Sequence, residues 1–168
     1  MTKATKEDSK SMTVIGPRDG ELLKFDRSDF IIKFDSDDTD DRFYVANEIL
    51  EPRTLGSPLH YHHVEDEYIY VVEGTCGAMV GDEVIEAEAG TWVFKPRQEW
   101  HAYWNPGDTL CHIIWLVTPG GIEEYIREFH EFLGSDDEQL ERLGEKYKLE
   151  MDLESVPELC ERFGLSLG

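Results

Sequence analysis

The stretch that decides the fold covers residues 56–74 and reads GSPLHYHHVEDEYIYVVEG. Side chains alternate between the two faces of a β-strand, so His60 and His62 should lie on one face with Cα atoms roughly 6.6–7 Å apart. Two imidazoles at that spacing can bind one metal ion. A polar connection leads to Glu67, which opens a strand-like run, and a hairpin there would return its carboxylate to the histidines. The stretch therefore predicts three ligands of one metal site.

A fourth ligand candidate, His101, lies in a second stretch, residues 90–105, which reads GTWVFKPRQEWHAYWN. Together the two stretches resemble the paired motifs of the cupin superfamily. The first family motif, H-x-H, three or four residues, E, six residues, G, is matched by His60, His62, Glu67 and Gly74. The second, G, five residues, P-x-G, two residues, H, three residues, N, is matched by Gly90, Pro96, His101 and Asn105, with one exception.

That exception is Gln98, which stands where the second motif has its inner glycine. Glycine reaches a positive φ at low cost, so Gln98 predicts either a different turn type or local strain. The first motif also departs from the pattern, because Gly56 is separated from His60 by only three residues. Both departures concern loop shape and leave the predicted ligands unchanged.

The resemblance implies an all-β fold, a double-stranded β-helix or jelly-roll barrel. A chain of 168 residues fits one domain, and the metal motif occurs once, which excludes a two-barrel cupin. We expect a flexible arm over residues 1–12, a barrel over 13–120 and a helical extension over 121–168. The tail resembles that of single-domain cupins described as similar to quercetinases, the flavonol dioxygenases.

The pattern of apolar residues supports this division. About ten short β-like runs precede residue 120, separated by turn residues. The acidic segment 35–41 between two of them reads as a solvated hairpin tip, since it lacks the glycine and the final glutamate of a calcium loop. After residue 121 apolar residues recur every three or four positions, which predicts helices ending at Gly134, Gly144 and Gly164, the last two begun by Ser135 and Ser155. The stripe of Tyr125, Phe129 and Phe132 on the first helix is expected to pack on the outside of the barrel, with lining a ligand cavity as the alternative.

Composition excludes several classes of partner. The chain has 37 acidic and 16 basic residues, a net charge of −21, which repels nucleic acid and anionic membranes. The three cysteines show no metal or disulfide spacing, and no secretory signal pattern is evident, so we expect a cytoplasmic protein. Strands with apolar residues on both faces, such as residues 68–72 and 110–118, predict a homodimer.

Three imidazoles and a carboxylate accept divalent iron, manganese, cobalt, nickel, copper or zinc, and ligand type does not choose among them. Four protein ligands leave positions open on a six-coordinate ion, which favours chemistry over a closed structural site. By strand parity Ile69, Val71 and Tyr103 are expected to give the site an apolar pocket for a small molecule. The remaining histidines, His63, His112 and His130, are expected to be structural or exposed.

The resemblance implies a metal-dependent dioxygenase acting on a small aromatic or enolic substrate. In that scheme Glu67 is both a metal ligand and the general base, because it is the one motif carboxylate able to reach a substrate on the metal. Two other classes stay open, a non-catalytic module that binds a small ligand or metal for sensing or storage, and a metal-dependent isomerase or lyase. The fold hosts all three and does not decide among them.

Overall fold

The computed structural model describes residues 12–131 and 137–167. The predicted arm lies almost entirely outside this part of the chain, as do Phe132, the helix end at Gly134 and the helix start at Ser135. Within the described residues no helix is both long and apolar enough to cross a membrane.

Thirteen strands and four helices are present in the described part of the chain. The strands are β1 (Glu21–Lys24), β2 (Ser28–Phe34), β3 (Tyr44–Leu50), β4 (Thr54–Leu55), β5 (Leu59–His62), β6 (Asp66–Glu73), β7 (Thr75–Val80), β8 (Glu83–Glu88), β9 (Trp92–Lys95), β10 (His101–Asn105), β11 (Cys111–Thr118), β12 (Leu149–Asp152) and β13 (Ser166–Leu167). The helices are α1 (Ser36–Thr39), α2 (Glu123–Glu131), α3 (Asp137–Tyr147) and α4 (Ser155–Phe163).

The strands form two sheets, as expected for a jelly roll. The first has the order β1-β2-β3-β11-β6-β9. The second runs β12-β5-β10-β4-β13, with β7 also paired to β10 and β8 paired to β7. Strands β5 and β6 therefore belong to different sheets and do not form the predicted hairpin. The chain crosses from one sheet to the other between His62 and Asp66, so the histidines and Glu67 come from two sheets.

The core lies between the sheets because their strands alternate in burial. In β11 every second residue is buried, from Cys111 to Val117, and β3 alternates in the same way from Tyr44 to Leu50. The two strands pair directly, with Trp115 opposite Ala46. This period of two is the pattern that the sequence shows, and it confirms an all-β barrel.

The C-terminal extension is helical, with two additional strands that join the barrel. Strand β12 pairs with β5, so that Leu149 lies opposite His62 and Met151 opposite His60, and β13 adds to β4. Helix α4 ends as predicted, with Gly164 in the left-handed conformation. Ser155 does not cap it, since the hydroxyl of Ser155 donates to the Asp152 carbonyl and accepts from the Leu59 amide. Helix α3 also differs from the prediction, because it runs through Gly144 to Tyr147.

Two surface features complete the fold. The acidic segment 35–41 connects the antiparallel strands β2 and β3 as the predicted hairpin tip, and it contains the one-turn helix α1, with Asp35 and Asp38 in a reciprocal capping box. The outer face of the edge strand β9 exposes Trp92 and Phe94, which are 59% and 52% accessible. Phe94 stacks on Tyr68 of β6, and Trp92 packs at a tilt against Tyr70 of the same strand.

Candidate metal centre and cavity

The four predicted ligands converge between the sheets. His60 and His62 lie on β5, Glu67 opens β6, and His101 opens β10 directly opposite His60. One ligand atom from each of the four lies within 4.8 Å of all the others, and all four side chains are buried. The Nε2 atoms of His101, His62 and His60 lie 3.0, 3.5 and 3.9 Å from the Glu67 carboxylate oxygens.

The opposite nitrogen of each imidazole is held by a hydrogen bond. His60 Nδ1 lies 3.0 Å from the Pro58 carbonyl, and His101 Nδ1 lies 2.9 Å from the Glu99 carbonyl. A carbonyl can only accept, so Nδ1 carries the proton and the Nε2 lone pair faces the centre. His62 Nδ1 lies 3.2 Å from Glu65, a carboxylate acceptor in the same role. Such outer partners are typical of metal-binding histidines, because they fix the tautomer and the ring orientation.

Unsatisfied buried atoms test whether these residues fit an ion. Glu67 Oε2 and His101 Nε2 are buried without a hydrogen-bond partner among the described residues. Lys95 Nζ approaches Glu67 Oε2 to 2.5 Å, an ion-pair distance that lacks hydrogen-bond geometry. Buried polar atoms are normally satisfied, so a carboxylate oxygen and an imidazole nitrogen that converge without a hydrogen bond fit a bound cation.

Electrostatics favour the metal-binding protonation state of three ligands, His101, His60 and Glu67. Burial and the nearby Lys95 lower the pKa of His101 to about 3, and burial also lowers the pKa of His60. Burial alone would raise the pKa of Glu67, but Lys95 and His62 hold it well below the usual range. Neutral imidazoles beside an ionised carboxylate are the forms that bind a divalent ion.

His63 lies away from the centre, as strand parity predicts. Its ring is exposed and its Nε2 lies 2.6 Å from Glu150 on β12. His130 bonds the Lys24 carbonyl at the surface. Neither belongs to the ligand group.

A cavity of about 530 Å³ opens from the centre, within the usual range for a small-molecule site. Its wall includes His60, His62 and Glu67. Seven aromatic side chains line it: Phe25, Phe30, Tyr44, Tyr103, Trp115, Tyr125 and Phe129.

The cavity differs from the predicted pocket in two respects. Tyr103 lines it, but Ile69 and Val71 are fully buried in the apolar core and do not. Tyr125 and Phe129 of α2 line it as well, so the helical stripe contributes to the cavity wall and is not confined to the outside of the barrel. The Tyr125 hydroxyl also contacts Met151 of β12.

Two charged residues at the site are absent from the sequence-based prediction. Glu48 is 3% exposed on the cavity wall, where Tyr103 Oη and Trp115 Nε1 donate to it over 2.9 Å. Lys95 is fully buried, and its ammonium lies over the rings of Trp115 and Tyr103, 4.5 and 5.1 Å from their centroids. Both occupy inward positions of strands whose burial alternates. Counting alternate positions along β3 and β9 in the sequence could therefore have predicted that these two side chains point inward.

Comparisons with known proteins agree with this geometry. Residues 46–117 match the Cupin_2 family model, described as a cupin domain. The tetracenomycin polyketide synthase protein TcmJ of Streptomyces glaucescens is 28% identical over 60 residues, which are 36% of this chain and 40% of that protein.

Solved structures match over a longer part of the chain. The polyketide cyclase RemF of Streptomyces resistomycificus is 26% identical with a TM-score of 0.56, over 65% of this chain and 80% of RemF. KdgF from Halomonas sp. is 15% identical with a TM-score of 0.59, over 68% of this chain and 99% of KdgF. The motifs, the two-sheet barrel and these matches show that the chain is similar to proteins of the cupin superfamily.

Proposed function

We propose that this protein is a metal-dependent enzyme that acts on a flat, hydroxylated aromatic or enolic compound, most readily as a quercetinase-like dioxygenase. The observation that carries the proposal is the junction of two features. Three members of the buried ligand group, His60, His62 and Glu67, line a cavity whose wall is otherwise largely apolar and includes seven aromatic side chains.

The cavity wall favours this substrate class over phosphorylated sugars. Apart from histidines and tyrosines, the ionisable side chains that line it are the carboxylic acids Asp26, Glu48 and Glu67, and no lysine or arginine is among the described lining residues. Aromatic faces bind planar rings by stacking, with centroids about 4.5–7 Å apart. A phosphate would be repelled by these acids, whereas a phenol or enol can donate its hydrogen bond to them.

The chain's own residues have defined roles in this proposal. His60, His62, His101 and Glu67 would hold the ion, and their outer hydrogen bonds keep the imidazoles oriented. A divalent ion there would bind the substrate hydroxyl and lower its pKa, which prepares the substrate for oxidation by O₂. Glu67 is a candidate base for the hydroxyl proton. The aromatic wall orients the ring and excludes water.

A second candidate function is cyclisation of a polyketone. It is favoured by the matches to TcmJ, a polyketide synthase protein, and to RemF, a polyketide cyclase. Such a substrate is also enolic and becomes planar as rings form, so it suits the same wall. Cyclisation consumes no O₂, which separates the two functions experimentally.

The test uses protein loaded in turn with each candidate metal and incubated with a flavonol, a catechol and a linear 1,3-polyketone. Oxygen uptake with a ring-cleaved product supports the dioxygenase, and an isomeric or dehydrated product without oxygen uptake supports the cyclase. Rearrangement or bond cleavage without oxygen uptake would favour an isomerase or lyase. Binding without turnover would favour a sensing or storage module. His62→Ala serves as the metal-site variant and His63→Ala as its matched control, since the two histidines are adjacent but face opposite sides.

A further inference from the structure

Glu48 is a buried carboxylic acid that does not belong to the group of metal ligands. It occupies an inward position of β3, whose other inward residues are Tyr44, Ala46 and Leu50. Burying a carboxylate among apolar groups is costly unless hydrogen bonds compensate. Glu48 lines the same cavity as His60, which places it beside any molecule bound there.

Neighbouring hydrogen-bond donors fix the orientation of the Glu48 carboxylate and leave one of its acceptor positions free. Tyr103 Oη lies 2.9 and 3.1 Å from its two oxygens, and Trp115 Nε1 lies 2.9 Å from one of them. The Ser28 hydroxyl is a further partner. The Tyr103 hydroxyl has a single proton and donates to one oxygen at a time, so Tyr103, Trp115 and Ser28 occupy three of the about four acceptor positions of the carboxylate and one remains for a group in the cavity.

Electrostatics make Glu48 the group that can exchange a proton near neutral pH. Burial raises the pKa of Glu48 to about 7, against the opposing hydrogen bonds from Trp115 and Tyr103. The other charged or titratable groups that face it are Lys95 on β9, Tyr44 on β3, Tyr103 on β10 and Cys76 on β7. Burial raises the pKa values of both tyrosines well above their usual range, and a hydrogen bond with Cys111 together with burial does the same for the pKa of Cys76, so these groups stay protonated.

We propose that Glu48 is the residue that takes a proton from the substrate in this cavity and returns it to the product. The substrate would carry a weakly acidic hydroxyl, or a C–H bond next to a carbonyl group. In the first step that bond breaks, its electron pair stays on the substrate, and the proton bonds to a Glu48 oxygen. In a later step the same proton moves to the product and the carboxylate is regenerated.

This inference rests on the proposed function, because it needs a phenolic or enolic molecule in the cavity. It assigns to Glu48 the base role that the sequence motif suggests for Glu67. Glu67 is poorly suited to that role, since its carboxylate is paired with Lys95 and is needed as a ligand.

The first test measures ligand binding in metal-free protein and so does not depend on turnover. The probe is 4-methylcatechol, titrated by calorimetry at about pH 6 and about pH 8, on either side of neutrality. A hydroxyl donates more strongly to a carboxylate than to a carboxylic acid, so wild-type affinity should rise at least fivefold at the higher pH. Glu48→Gln, which keeps an acceptor for Tyr103 and Trp115, should show no such rise. Equal pH dependence in both proteins would overturn the inference.

The second test uses the metal-loaded protein and whichever substrate it turns over. Glu48→Gln should lower kcat/KM by at least about a hundredfold and remove the limb of the pH profile near neutrality, with metal content unchanged. Glu48→Asp should restore part of the rate. Loss of metal from Glu48→Gln, or a wild-type rate in that variant, would refute the proposal. If no compound is turned over, the proposed function fails while the binding test still decides the role of Glu48.

Infrared spectroscopy on the wild-type protein tests the titration of Glu48 without any substitution, so it does not depend on whether a variant folds. A carboxylic acid C=O band should disappear with a midpoint near pH 7 as Glu48 ionises. Absence of a carboxyl group titrating near this pH would also contradict the proposal.

Discussion

Replacing Lys95 by methionine should tighten metal binding, because Lys95 places a positive charge beside the ligands. Its Nζ lies 2.5 Å from Glu67 Oε2 and the side chain is fully buried, so water cannot screen the charge. Methionine is of similar length, and its sulfur can pack against the rings of Tyr103 and Trp115 that the ammonium now contacts. The variant therefore removes a charge with little change of shape.

The structure sets the size of the effect. With a metal–oxygen bond of about 2.1 Å to Glu67, the ion would lie at most about 4.6 Å from Lys95 Nζ. A single charge and a double charge at that separation repel by about 7 kcal/mol at an effective dielectric constant of about 20. Movement of the lysine on metal binding would relieve part of this repulsion. We therefore expect the dissociation constant of the metal to fall at least about a hundredfold, or about 3 kcal/mol.

Metal-free protein should respond in the opposite direction. Without Lys95, the buried Glu67 carboxylate has no counter-charge, and breaking a buried ion pair in this way costs about 3–5 kcal/mol. The variant should unfold at a lower temperature in chelator, and saturating metal should raise its melting temperature more than it raises that of wild type.

The assay is competition for Zn²⁺ or Co²⁺ against a chromophoric chelator, with circular dichroism to verify folding. Lys24→Met is the matched control, since the Lys24 side chain is 70% exposed and lies 3.8 Å from its partner Asp29. Loss of that screened surface charge should change metal affinity by less than about twofold. Unchanged or weaker affinity in a folded Lys95→Met protein would mean that the ion does not bind beside Glu67.

Other perturbations separate the site, the core and the surface. His62→Ala should lower metal content, and Glu67→Gln should weaken metal binding and abolish activity, each without unfolding the barrel. His63→Ala should keep its metal and its activity. Elemental analysis and melting curves test this, and equal metal content in all three variants would place the site elsewhere. Burial raises the pKa of Glu48 to about 7, so between about pH 4.5 and 7 the folded state binds a proton that the unfolded state has released, and stability falls as pH rises through this window. The folded protein loses about 3 kcal/mol of stability over this window. The difference in free energy of urea unfolding between wild type and Glu48→Gln should follow this loss and become constant above about pH 7. A difference independent of pH would contradict the raised pKa of Glu48. The exposed aromatic face of β9 predicts a homodimer that Trp92→Ser weakens, so light scattering should give twice the mass of 19.4 kDa for wild type; a monomer at micromolar concentration would refute this.

The ligand group could be predicted from the sequence because motif spacing and strand parity are local properties. Parity puts His60 and His62 on one face and His63 on the other, and the structure has them so. The alternation of side chains along a strand does not predict which strands pair with each other. The sequence suggests a hairpin between His62 and Glu67, whereas the fold brings them together from facing sheets. The same convergence therefore arises from a different connection.

Gln98 shows how a departure from a motif can keep the geometry of that motif. Its φ of 63° is the left-handed conformation that favours glycine, so the turn shape is retained at a cost of about 1–2 kcal/mol. The backbone N–H of Gln98 donates to the His62 carbonyl over 2.8 Å, which connects the loop to the strand that carries His60 and His62. The sequence predicts strain or a different turn here, and the structure has the strained alternative.

The C-terminal tail was less predictable, because its contacts depend on distant parts of the chain. An amphipathic stripe indicates that Tyr125 and Phe129 cover an apolar surface, but not which surface. Strand β12 has only four residues, too few for a periodic signal, and it forms by pairing with β5. Ser155 has the spacing of a helix cap, yet its hydroxyl bonds to Leu59 and Asp152, because a tertiary partner replaced the local one.

The tail and the buried charges together determine what the site can bind. Pairing of β12 with β5 puts Met151 opposite His60, and α2 adds Tyr125 and Phe129 to the cavity wall, so the extension supplies apolar surface beside the ligands. On the barrel side Glu48 supplies an acceptor in the same cavity. An apolar wall strengthens any charge it surrounds, because the local dielectric constant is low. A molecule that stacks on the wall and also donates one hydrogen bond gains from both features, whereas a purely apolar ligand would leave Glu48 without a partner and a phosphorylated one would be repelled. In the proposed function, selectivity for a hydroxylated planar compound would therefore come from the combination of the tail with the barrel.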